Sequence, residues 1–120
     1  MKVLYIEDNP DAVPHIQRVV EHLNYEFLLA ETVAEGLAML QQVPDLVLVD
    51  MILPDGDAIE FTRRARMVST TVPIVVITGI VEDGEREICL AAGANEYYVK
   101  PMEIDALIAL FKRYAASALK

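Results

Sequence analysis

The sequence predicts an α/β fold in which one parallel sheet of five strands is covered by helices on both faces. Short, continuously apolar runs alternate along the chain with segments whose apolar residues recur at helical spacing. This alternation is typical of a parallel sheet with crossover helices. Because 120 residues suffice for one core but not for two, we expect a single domain over residues 1–120.

The first strand and helix follow from a change of periodicity near the N-terminus. Residues 2–6 form a compact run of β-branched and aromatic residues, as expected of a buried strand. Apolar residues then recur at helical spacing over 13–23, with Asp11 as the predicted helix cap and Pro14 in the first turn. Residues 25–30 are the second predicted strand.

The second helix and the third strand are marked by their ends. Thr32 and Glu35 form a capping box before the helical stretch 33–43. Pro44 ends that helix, and residues 45–49 are the third strand. A turn containing proline and glycine then leads into the third helix.

The last two strands follow from the same alternation. Residues 72–78 are the most apolar strand, so we expect this strand to be central. A polar helix over 82–92 follows, and we interpret its acids at 82, 83, 85 and 87 as one solvated face. Residues 96–100 are the fifth strand, and 103–118 the last helix.

Composition limits the possible functions. Lys and Arg total 10 against 19 Asp and Glu, which gives a formal net charge of −9. Such a surface repels phosphate groups, so we expect no direct binding of nucleic acid or anionic lipid. No apolar run is long enough to cross a bilayer, and we expect no leader at the N-terminus. With Cys89 as its single cysteine, the chain is expected to be cytoplasmic.

Polar residues of complementary chemistry stand at four of the five predicted strand ends: Glu7 and Asp8, Asp50, Thr78, and Lys100. In open parallel sheets, ligands bind at this edge. Carboxylate oxygens suit Mg²⁺, while a lysine and a hydroxyl can stabilise phosphoryl oxygens. One carboxylate can then act as the nucleophile and form an aspartyl-phosphate.

Four segments, in this order, give the chain a specific resemblance. Over its whole length it resembles the receiver domain of two-component response regulators. The matching segments are "VLYIEDN" (3–9), "LVLVDMILPDGD" (46–57), "PIVVITG" (73–79) and "GANEYYVKP" (93–101). The resemblance implies a flavodoxin-like sheet with strand order 2-1-3-4-5.

The resemblance also implies a role for each site residue. Asp50 matches the phosphoacceptor, and Glu7 and Asp8 match the acidic residues of the Mg²⁺ site. Ile52, two residues past Asp50, matches the residue whose backbone carbonyl binds the metal. Thr78 matches the hydroxyl residue that responds to phosphorylation.

The resemblance extends to the fifth strand and its end. Lys100 matches the phosphate-contacting lysine, and the bond to Pro101 is expected to be cis. Tyr97 matches the aromatic residue whose inward or outward position follows the state of Thr78.

Simpler interpretations of these residues stay open from sequence alone. Asp50 is also compatible with a turn or cap residue, Thr78 with the end of an ordinary strand, and Lys100 with a surface lysine. Asp55 and Asp57 fit turn and cap roles before the third helix better than a role in the site.

The function indicated is a phosphorylation-controlled switch rather than an enzyme acting on an outside substrate. A sensor histidine kinase or phosphotransfer protein would supply the phosphoryl group. The surface of the fourth helix, fifth strand and last helix would then change for a partner or output domain. We expect slow loss of the phosphoryl group to water.

Three other functions fit the sequence less well than the switch does. An aspartate-nucleophile phosphohydrolase usually has a second Asp two residues after the first, where this chain has Ile52. An unphosphorylated interaction module on the same fold usually lacks the acids or the lysine, which are present here. A flavin-binding domain needs phosphate-binding donors after the first strand, where this chain has acids.

Overall fold

The computed structural model describes residues 1–118. These residues contain seven strands: β1 (Lys2–Ile6), β2 (Glu26–Ala30), β3 (Leu46–Asp50), β4 (Ile52–Leu53), β5 (Gly56–Asp57), β6 (Ile74–Thr78) and β7 (Glu96–Val99). Five α-helices alternate with the longer strands: α1 (Val13–His22), α2 (Val33–Met39), α3 (Ala58–Val68), α4 (Glu85–Ala92) and α5 (Ile104–Ala118).

The main sheet has five parallel strands in the order β2-β1-β3-β6-β7. The short strands β4 and β5 form a separate antiparallel hairpin. When this hairpin is left out of the count, the order is 2-1-3-4-5, and the predicted doubly wound fold is confirmed. The strand expected to be central, β6, is an interior strand between β3 and β7, whereas the middle strand is β3. All five residues of β6 are buried, which explains why it is the most apolar run.

Alternate strand residues divide the core into two layers, because successive side chains point to opposite faces of a sheet. Leu4, Val47 and Val76 pack with Phe61 on the side of α2, α3 and α4. Tyr5, Leu48 and Ile77 pack with Phe111 on the side of α1 and α5. The buried residues of this second layer are Val3, Tyr5, Ile16, Val19, Val20, Leu46, Leu48, Val75, Ile77, Met102, Leu107, Leu110 and Phe111.

Two helix ends differ from the sequence prediction. Asp11 does not cap α1, because the N-cap residue of this helix is Ala12, which makes no side-chain hydrogen bond to the helix. Helix α2 ends at Met39 rather than near residue 43, and a 3₁₀ turn over Leu40–Gln42 follows. The proline at position 44 restricts Val43 to non-helical backbone, and Val43 adopts a left-handed conformation with φ of 54°.

Helix α4 also starts later than predicted, at Glu85 instead of residue 82. Gly84 is its N-cap and has a φ of 79°, a conformation that glycine tolerates but that the helix cannot include. At the other end, Gly93 closes α4 in the left-handed region. Within residues 1–118, no helix is both long and apolar enough to cross a membrane.

Candidate functional site

Backbone pairing fixes three of the predicted site residues at the carboxyl edge of the sheet. Asp50 is the last residue of β3 and pairs with Ile77 of β6. The Glu7 amide donates to Ala30 O at 2.9 Å, which extends the ladder of β1 by one residue. The Lys100 amide donates to the carbonyl of Thr78 at 2.7 Å and extends β7 in the same way. Hence these side chains start from rigid, neighbouring positions.

Lys100 joins two buried or partly buried carboxylates. Its Nζ lies 3.1 Å from Asp50 Oδ1 and donates to Glu7 Oε1 as well. Only 1% of the Glu7 side chain and 14% of the Asp50 side chain are exposed. A buried carboxylate needs a partner to offset its lost hydration, and one ammonium group serves both. The Lys100–Pro101 peptide bond is cis, as the resemblance implies.

Asp8 completes an acidic cluster on the exposed side of this pair. One carboxylate oxygen from each of Glu7, Asp8 and Asp50 lies within 4.8 Å of the other two. The donors are all hard oxygens, and the exposed Asp8 leaves room for water, a combination that suits Mg²⁺. The donor set therefore fits a divalent cation, and Asp50 is the member that also faces Lys100.

Burial raises the pKa of Asp50 from 3.8 to about 6, since its charged form is poorly hydrated. Lys100 acts in the opposite direction, and the negative charge of Glu7 raises the pKa further. For Lys100, burial favours the neutral form, but its bonds to Glu7 and its proximity to Asp50 raise the pKa overall. The lysine is thus cationic at neutral pH, and one cation is shared between two acids.

Thr78 and Ile52 flank Asp50 on different segments. The Thr78 hydroxyl is buried at the end of β6 and donates to the carbonyl of Ile80 at 2.8 Å. Ile52 begins the β4–β5 hairpin, and 66% of it is exposed. Ile80 is 64% exposed. Two large apolar side chains therefore lie in solvent on the loops that follow the Asp50 strand and the Thr78 strand.

Tyr97 is buried on the α4 side of the sheet, and its hydroxyl donates to Glu85 Oε1 at 2.6 Å. The prediction that the acids near α4 form one solvated face is therefore wrong for Glu85, which is 8% exposed. Glu85 lies one turn before the buried Cys89, and residues four apart in a helix lie on the same face, so both lie on the inner side.

Two further polar contacts around the site were not predicted. The Tyr5 hydroxyl donates to Glu7 Oε1 at 3.1 Å; the spacing of two within a strand, which places both on one face, is the signal that could have revealed it. Asp55, expected to act before the third helix, instead accepts the amides of Val33 and Ala34 at the start of α2. These bonds lower the pKa of Asp55. Asp57 caps α3 through the Glu60 amide at 2.8 Å, as predicted.

The sheet order and the acidic edge together define a class of protein, the receiver domains with a CheY-like fold. Comparison with known families agrees: residues 3–112 match the family described as response regulator receiver domain. The chain belongs to this family.

Relatives and solved structures place the chain in the same class. It is 34% identical over 109 residues to the response regulator ArlR of Staphylococcus saprophyticus, covering 90% of this chain and 49% of that protein. The chain spans about half the length of the first curated relatives it matches. A two-component response regulator from Clostridium difficile superposes with a TM-score of 0.90 at 28% identity, over 97% of this chain and 96% of the other.

One further solved structure that is similar to this chain contains a magnesium ion. The receiver domain of the sensor histidine kinase PA1611 from Pseudomonas aeruginosa PAO1 is 31% identical to this chain, with a TM-score of 0.85. The match covers 95% of this chain and 96% of that one. Its structure is described with a magnesium ion coordinated in the active site cleft.

Proposed function

We propose that this receiver domain accepts a phosphoryl group on Asp50 from the phosphohistidine of a sensor histidine kinase or phosphotransfer protein. One observation carries the proposal: Asp50 ends β3 in contact with Lys100 and within 4.8 Å of oxygens of Glu7 and Asp8. An Asp that only capped a turn would need neither the lysine nor two further acids around it.

Asp50 acts as the nucleophile. One Oδ atom forms a bond to phosphorus while the P–N bond of the phosphohistidine breaks, and the donor imidazole keeps the bonding electron pair. Lys100 is positioned to neutralise an oxygen of the transferred group, because its Nζ already contacts Asp50. The reaction consumes the ionised form of Asp50, which predominates above its pKa of about 6.

Glu7, Asp8 and Asp50, with the backbone carbonyl of Ile52, are the residues that would hold Mg²⁺. When bound, the ion offsets the negative charge of the carboxylates and of the phosphoryl oxygens. The magnesium ion in the cleft of the PA1611 receiver domain supports this assignment. The clustering of three oxygen donors in this chain supports it independently.

The phosphorylated domain acts by changing its surface. Thr78 moves toward the phosphoryl group, and Tyr97, whose ring is already buried on the α4 side of the sheet, packs into the space behind Thr78. The surface formed by α4, β7 and α5 then binds its partner or output domain differently. Relatives named as transcriptional regulatory proteins support an output of this kind, rather than catalysis on an outside substrate. The phosphoryl group is lost slowly to water.

The test is intact mass spectrometry after incubation with acetyl phosphate, with and without Mg²⁺. We expect the wild type to gain one phosphoryl mass only when Mg²⁺ is present, and Asp50→Asn to gain none. Asp105→Asn is the matched control, because it makes the same change at an exposed residue in the first turn of α5. This variant should be phosphorylated like the wild type.

Two outcomes would contradict the proposal. Phosphorylation of Asp50→Asn would assign the acceptor elsewhere. If the wild type gains no mass, trapping with beryllofluoride distinguishes rapid hydrolysis from loss of the chemistry. Failure of the trap as well would favour an interaction module that retains the residues without using them.

A further inference from the structure

The carboxylate of Glu85 occupies an unusual position for an acid on a strongly acidic chain. It is 8% exposed, lies in the first turn of α4, and accepts the Tyr97 hydroxyl at 2.6 Å. Within residues 1–118 it forms no salt bridge. The Tyr97 hydroxyl donates to it, and its place in the first turn of α4 sets it near the positive end of the helix dipole.

Burial makes this bond necessary to both partners. A carboxylate that loses its donor while it stays buried pays the desolvation cost in full. If Tyr97 turned outward, Glu85 would have to reach solvent, and Glu85 is the first residue of α4. The first turn of the helix would therefore have to open or shift. Conversely, the folded first turn keeps the acceptor in place and holds Tyr97 inward.

We propose that Glu85 is a positioning residue that couples the rotation of Tyr97 to the first turn of α4, so that the two change conformation as one unit. The coupling exists without a phosphoryl group. Through this coupling, a change at Tyr97 would also move α4, which forms one side of the surface made by α4, β7 and α5. Its importance for signalling rests on the proposed function, but the coupling itself does not.

Amide hydrogen exchange of unphosphorylated, metal-free protein tests the coupling. The Ile88 amide donates to Gly84 O at 3.1 Å, so its exchange reports the opening of the first turn of α4. We expect Glu85→Ala and Tyr97→Phe each to accelerate exchange at Ile88 by about tenfold, because each removes one buried, charge-assisted hydrogen bond. The double variant should exchange no faster than the faster single variant.

Two further variants separate the hydrogen bond from other effects. Glu85→Gln keeps an acceptor for Tyr97 and should exchange at Ile88 within roughly threefold of the wild type. Glu87→Ala removes an exposed acid from the same first turn; it controls for the helix dipole and should also leave exchange near the wild-type rate. The slowest amides of β3 and β6 serve as a check that global stability is retained.

Three results would overturn the inference. The first is exchange at Ile88 at the wild-type rate in Tyr97→Phe, which would show that the Tyr97 hydroxyl does not hold the helix turn. The second is multiplication of the effects of Glu85→Ala and Tyr97→Phe in the double variant, as independent effects do. The third is acceleration by Glu87→Ala as large as that by Glu85→Ala, which would leave only the helix dipole as the cause. None of these results depends on whether Asp50 accepts a phosphoryl group.

Discussion

Replacing Asp50 by Asn should stabilise the metal-free domain near neutral pH. In the wild type, the fold holds the ionised Asp50 in a partly buried position beside Glu7. Asn has nearly the shape of the protonated Asp but carries no charge. Lys100 keeps its contact with Glu7 in the variant, so the change does not strand a buried cation.

The magnitude follows from the pKa of Asp50, which folding raises from 3.8 to about 6. A carboxyl group whose pKa is raised in the folded state binds its proton more tightly there, so stability falls as pH rises between these two values. The full penalty applies above the folded pKa and amounts to about 3 kcal/mol at about pH 7.5. It falls to roughly half at about pH 5 and disappears below the unfolded pKa.

Urea or thermal unfolding, followed by circular dichroism with a chelator present, measures this penalty. For a domain of this size we expect Asp50→Asn to melt about 10 °C above the wild type at about pH 7.5. The gap should narrow at about pH 5. Asp105→Asn, an exposed acid-to-amide change, should show no comparable gain. A variant that melts at or below the wild type at neutral pH, or a gap independent of pH, would refute the claim that unrelieved charge destabilises this edge.

Four further changes test neighbouring parts of the argument. Lys100→Met should destabilise the domain by about 3–5 kcal/mol, because it leaves two carboxylates without their shared cation; urea unfolding against the exposed Lys112→Met measures the difference. Adding Mg²⁺ should raise the melting temperature of the wild type. At a free Mg²⁺ concentration one hundred times the dissociation constant, the free energy of unfolding should rise by about 2.7 kcal/mol. Ile52→Ala should shorten the lifetime of the phosphorylated form by admitting water, as followed by loss of the phosphoryl mass, whereas Met67→Ala at the far end of α3 should not. Gly36→Ala should cost about 1–3 kcal/mol in the same unfolding assay, since its methyl group would press into the side chains of β1 and α3.

The strand-end residues were predictable from sequence because a parallel sheet leaves few alternatives. Once Asp50 follows one buried run and Glu7 another, the topology brings their side chains to one edge. The sheet order and the approach of Asp8 and Lys100 to the same point follow from this reasoning and from the resemblance. The residues that make up the site were therefore predictable from sequence, whereas the distances between them were not.

The contacts that the sequence did not reveal depend on how the helices pack or on distant segments. Glu85 is buried because it lies one turn before the buried Cys89 and against Tyr97 of β7, a placement that depends on how α4 packs on the sheet. Asp55 caps α2 from a loop 21 and 22 residues away, a distance that no local pattern encodes. The sharing of Lys100 between two acids depends on side-chain positions that neither strand determines alone.

Because Lys100 is shared between Glu7 and Asp50, it is well placed to respond to a change of charge on Asp50. Lys100 Nζ contacts both Glu7 and Asp50 in the absence of metal, and no other basic residue in the described chain forms an ion pair with either acid. A divalent cation near the acids would offset the negative charge that this ammonium group otherwise offsets. A phosphoryl group on Asp50 would then give Lys100 a more strongly charged partner. The lysine would then exchange one contact for another, so the phosphoryl charge would meet a cation that already lies at the site. If Asp50 is phosphorylated as proposed, a movement of Lys100 would transmit the change to the end of β7, the strand that also carries Tyr97.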